Sequence, residues 1–382
     1  MTAILKGQPY AVGTFPTALR KYLNSAKEYQ VSQPSVELLE FLTRHKLPWL
    51  EYIEQKQKLV MVVDNHLMQM YRACPQHFVF SALLGQQPKS PTREDDVQRV
   101  WYLDFGILLH KMIELYYKDF RKPGFEPQKW AIERATAEWY EMKMDVHSEH
   151  KEYKSIGGLP GFIGLLFQFA FTFTPENEKL RIIGQEVSFG KRGEVPLYIG
   201  DNIEIYLAGR MDLIVDDGYF ICPMDHKSKS HFSGDPGLQY ETEEGPTGYV
   251  YALSKILPQI VPADQILKRD CSKILMNLIS KKTTSTPAER FKRVPIRKTT
   301  EQLVEYRLRM VRTGMHLYED MESLARSLPV YRNTNACTDW FHGTCNYKDV
   351  CRQSSRDAAA ATLRNGFVQV KLWDTEAVKP TT

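Results

Sequence analysis

Apolar residues change their spacing along this chain, and the changes mark out its elements. Residues 1 to about 60 read as helical, with breaks at Pro34 and Pro48. The segment Leu59 to Leu84 starts apolar and continues in a helical pattern interrupted at Cys74-Pro75, and a polar linker, GQQPKSPTREDD, follows. From about Val97 to Phe120 the apolar positions Val97, Val100, Trp101, Ile107, Leu108 and Leu115 recur largely at the intervals of an amphipathic helix. Residues 127 to 175 read as further helices around the turn SIGGLPG. At Arg181 the pattern becomes alternating, and RIIGQEVSF, YLAGRMDLIV and YFICPMDHK are three successive strand candidates. A loop, a helix from Thr247, a strand KILMNLIS, a long helix from about Thr300 to Ser327 and a frayed last dozen residues complete the chain. This order predicts an α/β fold, a sheet core wrapped by a helical insertion or cap.

The middle strands carry the chemistry. Ile205, Leu207, Gly209, Met211, Leu213 and Val215 form one apolar face, and Asp212 lies on the other with Tyr206, Ala208, Arg210 and Ile214. Asp217-Gly218 reads as a two-residue hairpin turn. With that turn Asp216 pairs with Tyr219, Asp225 sits opposite Arg210, and Asp212 opposite Pro223. Asp212 and Asp225 are then diagonal neighbours roughly 7–8 Å apart, with Lys227 on the same face. Two such carboxylates repel unless a divalent cation stands between them, and hard oxygen ligands select Mg²⁺ or Mn²⁺. A bound ion with a nearby ammonium suits phosphodiester hydrolysis. The plain alternative is a surface hairpin with an ion pair from Asp225 to Arg210 or Lys227.

Composition narrows the classes. A net charge of +4 over 382 residues gives no whole-molecule field for a polyanion, so DNA contacts would rest on a local patch. The candidate is the basic stretch with Lys281, Lys282, Arg290, Lys292 and Arg293, which could equally be a solvated loop. The apolar run Gly161 to Phe173 is too short to span a bilayer and reads as a buried helix. The N-terminus lacks a signal peptide's apolar stretch, so a cytoplasmic protein without membrane contact is expected. Of six cysteines, Cys337, Cys345 and Cys351 cluster within fifteen residues, which asks for a metal or cluster before a packing explanation; Cys222 and Cys271 read as free and buried.

GRMDLIV followed by MDHKSKS resembles the PD-(D/E)xK nuclease core, and more closely the G-x-x-D and D-x-K strands of the RecB-like family. Gly106 and His110 in FGILLHKMIE are similar to that family's helix with a metal-site histidine. Glu186 in IIGQEVSF matches its acidic strand position, and Tyr249 resembles the tyrosine of its Q-x-x-x-Y helix. No glutamine stands four residues before that tyrosine; Gln239 is nearby but out of helical register. A lone helical histidine is commonly a satisfied core or surface residue, and only the resemblance marks His110. It implies a restriction-endonuclease-like core, a mixed central sheet flanked by helices. Asp212, Asp225, His110 and the His226 main-chain carbonyl would hold Mg²⁺ or Mn²⁺, with Glu186, Lys227 and Tyr249 assisting catalysis.

Cys74 in YRACPQHFVF, with C-x7-C-x5-C at Cys337, Cys345 and Cys351, resembles the iron–sulfur branch of the superfamily, including AddB-type helicase–nucleases and CRISPR-adaptation nucleases. That resemblance implies a structural [4Fe–4S] cluster, with four-thiolate zinc as the rival. The implied organisation is an N-terminal helical region (1–60), a nuclease domain (61–352, catalytic core about 97–300) closed by the cluster, and a C-terminal tail (353–382). The implied function is a metal-dependent DNA nuclease, an exonuclease on single strands or DNA ends in recombination, repair or phage DNA metabolism, with recombination or replication proteins as partners. The alternatives are a non-catalytic DNA-binding subunit on the same fold and the nuclease module of a CRISPR-adaptation complex.

Overall fold

The computed structural model describes residues 31–90, 93–97, 101–190, 193–230, 232, 234–266, 269–282, 285–339, 343–370 and 372. Residues 1–30 of the expected N-terminal helical region, and almost all of the last dozen, lie outside these. Along the chain come α1 (Val36–His45), β1 (Leu50–Ile53), β2 (Lys58–Val63), α2 (Asn65–Ala73), β3 (Gln86–Ser90) and β4 (Arg93–Val97). Three helices follow, α3 (Trp101–Asp119), α4 (Pro127–Glu141) and α5 (Gly158–Asn177). Next are β5 (Arg181–Phe189), β6 (Pro196–Ile199), β7 (Ile203–Leu207), β8 (Gly209–Asp216) and β9 (Ile221–Lys229). After α6 (Leu238–Thr242) and α7 (Glu244–Ile260) come β10 (Lys273–Ser280), β11 (Phe291–Arg297) and α8 (Thr300–Ala325). The chain closes with β12 (Thr338–Asp339), β13 (Gly343–Thr344), α9 (Arg356–Gly366) and β14 (Phe367–Gln369).

Contacts divide these elements into two compact units that alternate in sequence; of the described residues, one holds those in 101–187 and 210–303, the other those in 31–97, 188–209 and 304–372. The first has a five-stranded mixed sheet in the order β11-β10-β9-β8-β5, with β10 parallel to β9 and antiparallel to β11. Every residue of β10 is buried. This is the reading of a strand covered on both faces, and it explains why KILMNLIS is an apolar run with little alternation. Leu213, Val215, Cys222, Met224, Leu275 and Ile279 face α3, α4 and α5, while Ile274, Met276 and Leu278 pack with Val250 of α7. Helix α5 is long and apolar enough to cross a membrane. Here Phe162, Leu165, Leu166, Phe169 and Phe173 bury its inner side in that core, as the sequence predicts.

The second unit holds the sheet β1-β2-β7-β6 and the small sheet β14-β3-β4. Gly314 of α8 lies so near Ile205 that a Cβ would stand 2.8 Å from its Cδ1. Tyr306 and Tyr71 anchor α8 and α2 to each other through Asn65 and Asp320, both at 2.7 Å.

Several expectations are corrected. LVMVV, within and beyond a stretch expected to be helical, is strand β2: Val60, Val62 and Val63 are β-branched, and all five residues pair with β7. Part of the expected polar linker forms β3 and β4, although Pro91 and Thr92 fall outside the described residues. The expected tail contains α9 and β14. Ile205–Val215 is not one strand but two, β7 and β8, in different sheets. The break falls at Ala208, just before Gly209, where a Cβ would come within 2.7 Å of the Phe189 ring.

Candidate active site

Strands β8 and β9 bring the two aspartates together. The ladder pairs Asp216 with Ile221, Val215 with Cys222, Ile214 with Pro223 and Leu213 with Met224. Counting one step further sets Asp212 directly across from Asp225, not diagonal to it. The two-residue difference from the expected register comes from the turn. The last ladder pair, Asp216 with Ile221, leaves the four residues 217–220 outside the strands, and within them Asp217 N–H donates to Phe220 O at 3.1 Å. Asp216 Oδ1 accepts from Gly218 N, Asp217 Oδ1 accepts from Tyr219 N and Phe220 N, and Gly218 takes φ +93°. An even slip leaves every side chain on its face. Past the last backbone pair, the Asp212 carboxylate accepts the His226 N–H at 2.9 Å.

Three further groups surround the pair. Lys227 Nζ stands 2.8 Å from the buried Asp225 Oδ2. His110 Nδ1 of α3 lies 3.3 Å from Asp212 Oδ2. Glu186 of β5 meets Arg210 at 2.8 Å, with its own backbone in the left-handed region at φ +49°. A strained non-glycine residue within a strand is a device for aiming a side chain. Tyr249, on α7, acts on the Lys227 charge.

Burial drives the electrostatics. It raises the Asp225 pKa, and the charge of Asp212 adds to the rise, although Lys227 opposes it. Asp212 is equally desolvated, yet His110, His226 and Lys227 together hold it well below the usual carboxylate range. Burial likewise works against the charged forms of His110 and Lys227, but the aspartates outweigh it and both are raised. Glu186 is pushed up to about 7 by burial against the pull of Arg210, with Asp212 and Glu114 adding to the rise.

The His226 side chain turns to the opposite face, against Tyr117 and Phe169. Burial drives its pKa down to about 3, so it is neutral. Arg293 Nε donates to Asn277 Oδ1 at 2.7 Å, leaving the Asn277 amide to face His226 Nδ1 at 3.2 Å. Of the five expected DNA-contacting cations, Arg293 is therefore engaged behind the site, with Asn177 and Glu176 as further partners. Lys281 is buried against Glu152, and Arg290 is buried with Ser280 O and Gln168. Lys282 is exposed, and Lys292 lies over the Phe232 ring. Sequence reasoning missed Glu114, one turn beyond His110 on the same helix face; the four-residue spacing was its signal. The Asn277–Arg293 pair gave no signal, since it depends on strand pairing. Gln239 sits on α6 between Lys229 and Glu243, away from the expected helix position.

The four clustered cysteines all belong to the second unit. Cys345 N–H donates to Cys337 O at 3.2 Å, the Cys345 thiol lies 3.9 Å from His77 Nδ1, and Cys74 is buried. Burial is the main cause of the raised pKa of Cys345 and Cys351; Cys337 and Cys74 add to both, and Cys345 adds to Cys351. Among the described residues no three of His, Cys, Asp and Glu converge tightly enough for one metal ion, here or at the aspartates.

Residues 68–352, well over half the chain, match the family described as the PD-(D/E)XK nuclease superfamily. The chain belongs to that superfamily. A PD-(D/E)XK protein is a nuclease, commonly metal-dependent, with DNA as its substrate, and the mixed sheet flanked by helices agrees with the superfamily's fold. No curated protein matches. Among solved structures, "Crystal structure of SSO0001" is similar at 12% identity over 56% of this chain and 86% of that one. Its TM-score of 0.25 carries no weight for the fold.

Proposed function

We propose that this PD-(D/E)XK nuclease is a Mg²⁺- or Mn²⁺-dependent deoxyribonuclease of the RecB-like iron–sulfur branch, acting as an exonuclease in recombination, repair or phage DNA metabolism. One observation carries the reading. Asp212 and Asp225 face each other across β8 and β9, both largely buried, with His110 Nδ1 3.3 Å from one carboxylate and Lys227 Nζ 2.8 Å from the other. Two desolvated carboxylates this close repel unless a cation stands between them. Asp212 and Asp225 would hold the ion, with His110, Glu186 and the His226 carbonyl as further donors. Bound there, a divalent ion polarises the phosphate and lowers the pKa of its water.

The chain's own residues do the rest. Lys227 keeps 40% of its side chain exposed, so its ammonium can leave Asp225 and meet charge developing on a substrate phosphate. Glu186, raised to about 7 without metal, would be drawn to its charged form by a bound ion and so join the donors. His110 braces Asp212, and the neutral His226 packs behind β9, holding the strand that carries Asp225 and Lys227. The exonucleolytic mode and the pathway rest on the sequence resemblance.

Cys74, Cys337, Cys345 and Cys351 would hold a [4Fe–4S] cluster. That assignment rests on the sequence resemblance, with four-thiolate zinc as its rival. Cleavage of linear single- and double-stranded DNA with and without Mn²⁺ tests the main reading, and activity surviving in Asp225→Ala sinks it. Colourless anaerobic protein with stoichiometric zinc and no sulfide refutes the cluster.

A further inference from the structure

Helix α3 carries more than His110 on its active-site face. At the helix's turn of about 100° per residue, Leu103, Gly106, Ile107 and Glu114 all fall within roughly 60° of His110. Leu103 is 55% exposed and Ile107 59%, whereas Phe105, Leu108, Leu109 and Met112 of the same helix fill the core. The two branched side chains are therefore not surplus core. Between them Gly106 leaves a notch, since a Cβ built there meets nothing within 4 Å. Glycine inside a helix gives up stability relative to alanine, and among the described residues no neighbour requires it here.

The stripe runs about 10 Å along the helix, from Leu103 to His110. On the opposite, buried side of α3 the Trp101 indole donates to Glu152 at 3.1 Å, and the same carboxylate takes the Lys281 ammonium. The exposed strip therefore ends at His110, whose ring stands beside Asp212.

A duplex turns its sugars and phosphates outward and offers nothing to cover such a strip, whereas an unpaired base has two apolar faces. We propose that the Leu103–Gly106–Ile107 stripe seats the unpaired bases beside the phosphate at Asp212 and Asp225, and so selects single-stranded DNA. This rests on the nuclease reading above and adds the surface that sets strand preference.

The test uses full-length protein in EDTA, where affinity is read without turnover. Anisotropy of a fluorescein-labelled oligothymidylate and of a matched duplex is compared between wild type, the Leu103→Ser/Ile107→Ser double variant and Gly106→Leu. Both variants should lose about tenfold in single-strand affinity while the duplex changes by less than about twofold. Gly106→Leu should do so with a melting temperature equal to or above wild type, since leucine favours the helix. With Mn²⁺ the loss should appear in KM for single strands and leave kcat in place. Equal losses on both DNAs, no loss, or a wild type that does not bind the oligothymidylate overturns the proposal. If wild type binds but cleaves neither DNA with Mn²⁺, the nuclease reading fails on its own.

Discussion

Glu186 offers the sharpest test of the site's electrostatics. Its carboxyl is pushed from the ordinary 4.5 to about 7, chiefly by burial, and its side chain is 12% exposed. Because the folded pKa lies above the unfolded one, the folded state holds the extra proton. The resulting stability is fully present below about pH 4.5 and is lost as pH rises through about 7. At 1.36 kcal/mol per unit, that costs the metal-free protein about 3 kcal/mol at pH 8. Glutamine imitates the protonated acid at every pH. Glu186→Gln should therefore match wild type near pH 4, gain on it through the window, and exceed it by about 3 kcal/mol at pH 8, worth several degrees of melting temperature. Urea unfolding in EDTA across that range measures the gap. Mn²⁺ should close it, because an ion favours the charged carboxylate and so stabilises wild type more than the variant. A gap that does not change with pH, or a variant less stable at pH 8, would refute the assignment of burial as the cause.

Asp216 should behave in the opposite sense. Burial alone would raise its pKa, but the Gly218 N–H, Arg269 and Arg181 hold it down. Asp216→Asn should cost about 2–3 kcal/mol at pH 7, with the loss shrinking as pH falls through the carboxylate range, read by the same urea series. Lys227→Met should lower kcat by about 10²–10³-fold in a single-turnover cleavage assay while DNA affinity in EDTA moves far less. Cys345→Ser should strip iron and visible absorbance from anaerobically purified protein; iron retained at the wild-type ratio would remove Cys345 from the ligand set.

Where the chain repeats a simple period, its structure was readable in advance. KILMNLIS is β10 residue for residue, and the apolar run after Gly161 is a core helix. The paired aspartates were readable even though the turn was misjudged. Four residues replaced two, and only an odd slip would have turned Asp225 away from Asp212. What depends on distant partners was hidden. The β2 strand looked like a helix start because its partner β7 lies some 140 residues later in the chain. The basic stretch 281–298 looked like a DNA patch because sequence shows charge but not burial; Lys281, Arg290 and Arg293 spend theirs inside the protein. Glu186 was legible by position, whereas its left-handed backbone was not, since nothing in IIGQEVSF marks a bulge except Gly184.

The alternation of the two units bears on how the site can be engineered. The sequence leaves the first unit after Val187 and re-enters it at Arg210, and in between it supplies β6 and β7 to the other unit's sheet. Yet the two ends of that excursion are neighbours, since β5 and β8 are adjacent strands and Gly209 abuts the Phe189 ring. No single uninterrupted fragment of the gene can encode the aspartate-bearing unit by itself. A shortened version that joins residue 187 to residue 210 through a tight turn, and begins near residue 99, would keep β5, β8 and β9 in their places. The minimal nuclease in this chain is thus a splice, not a truncation.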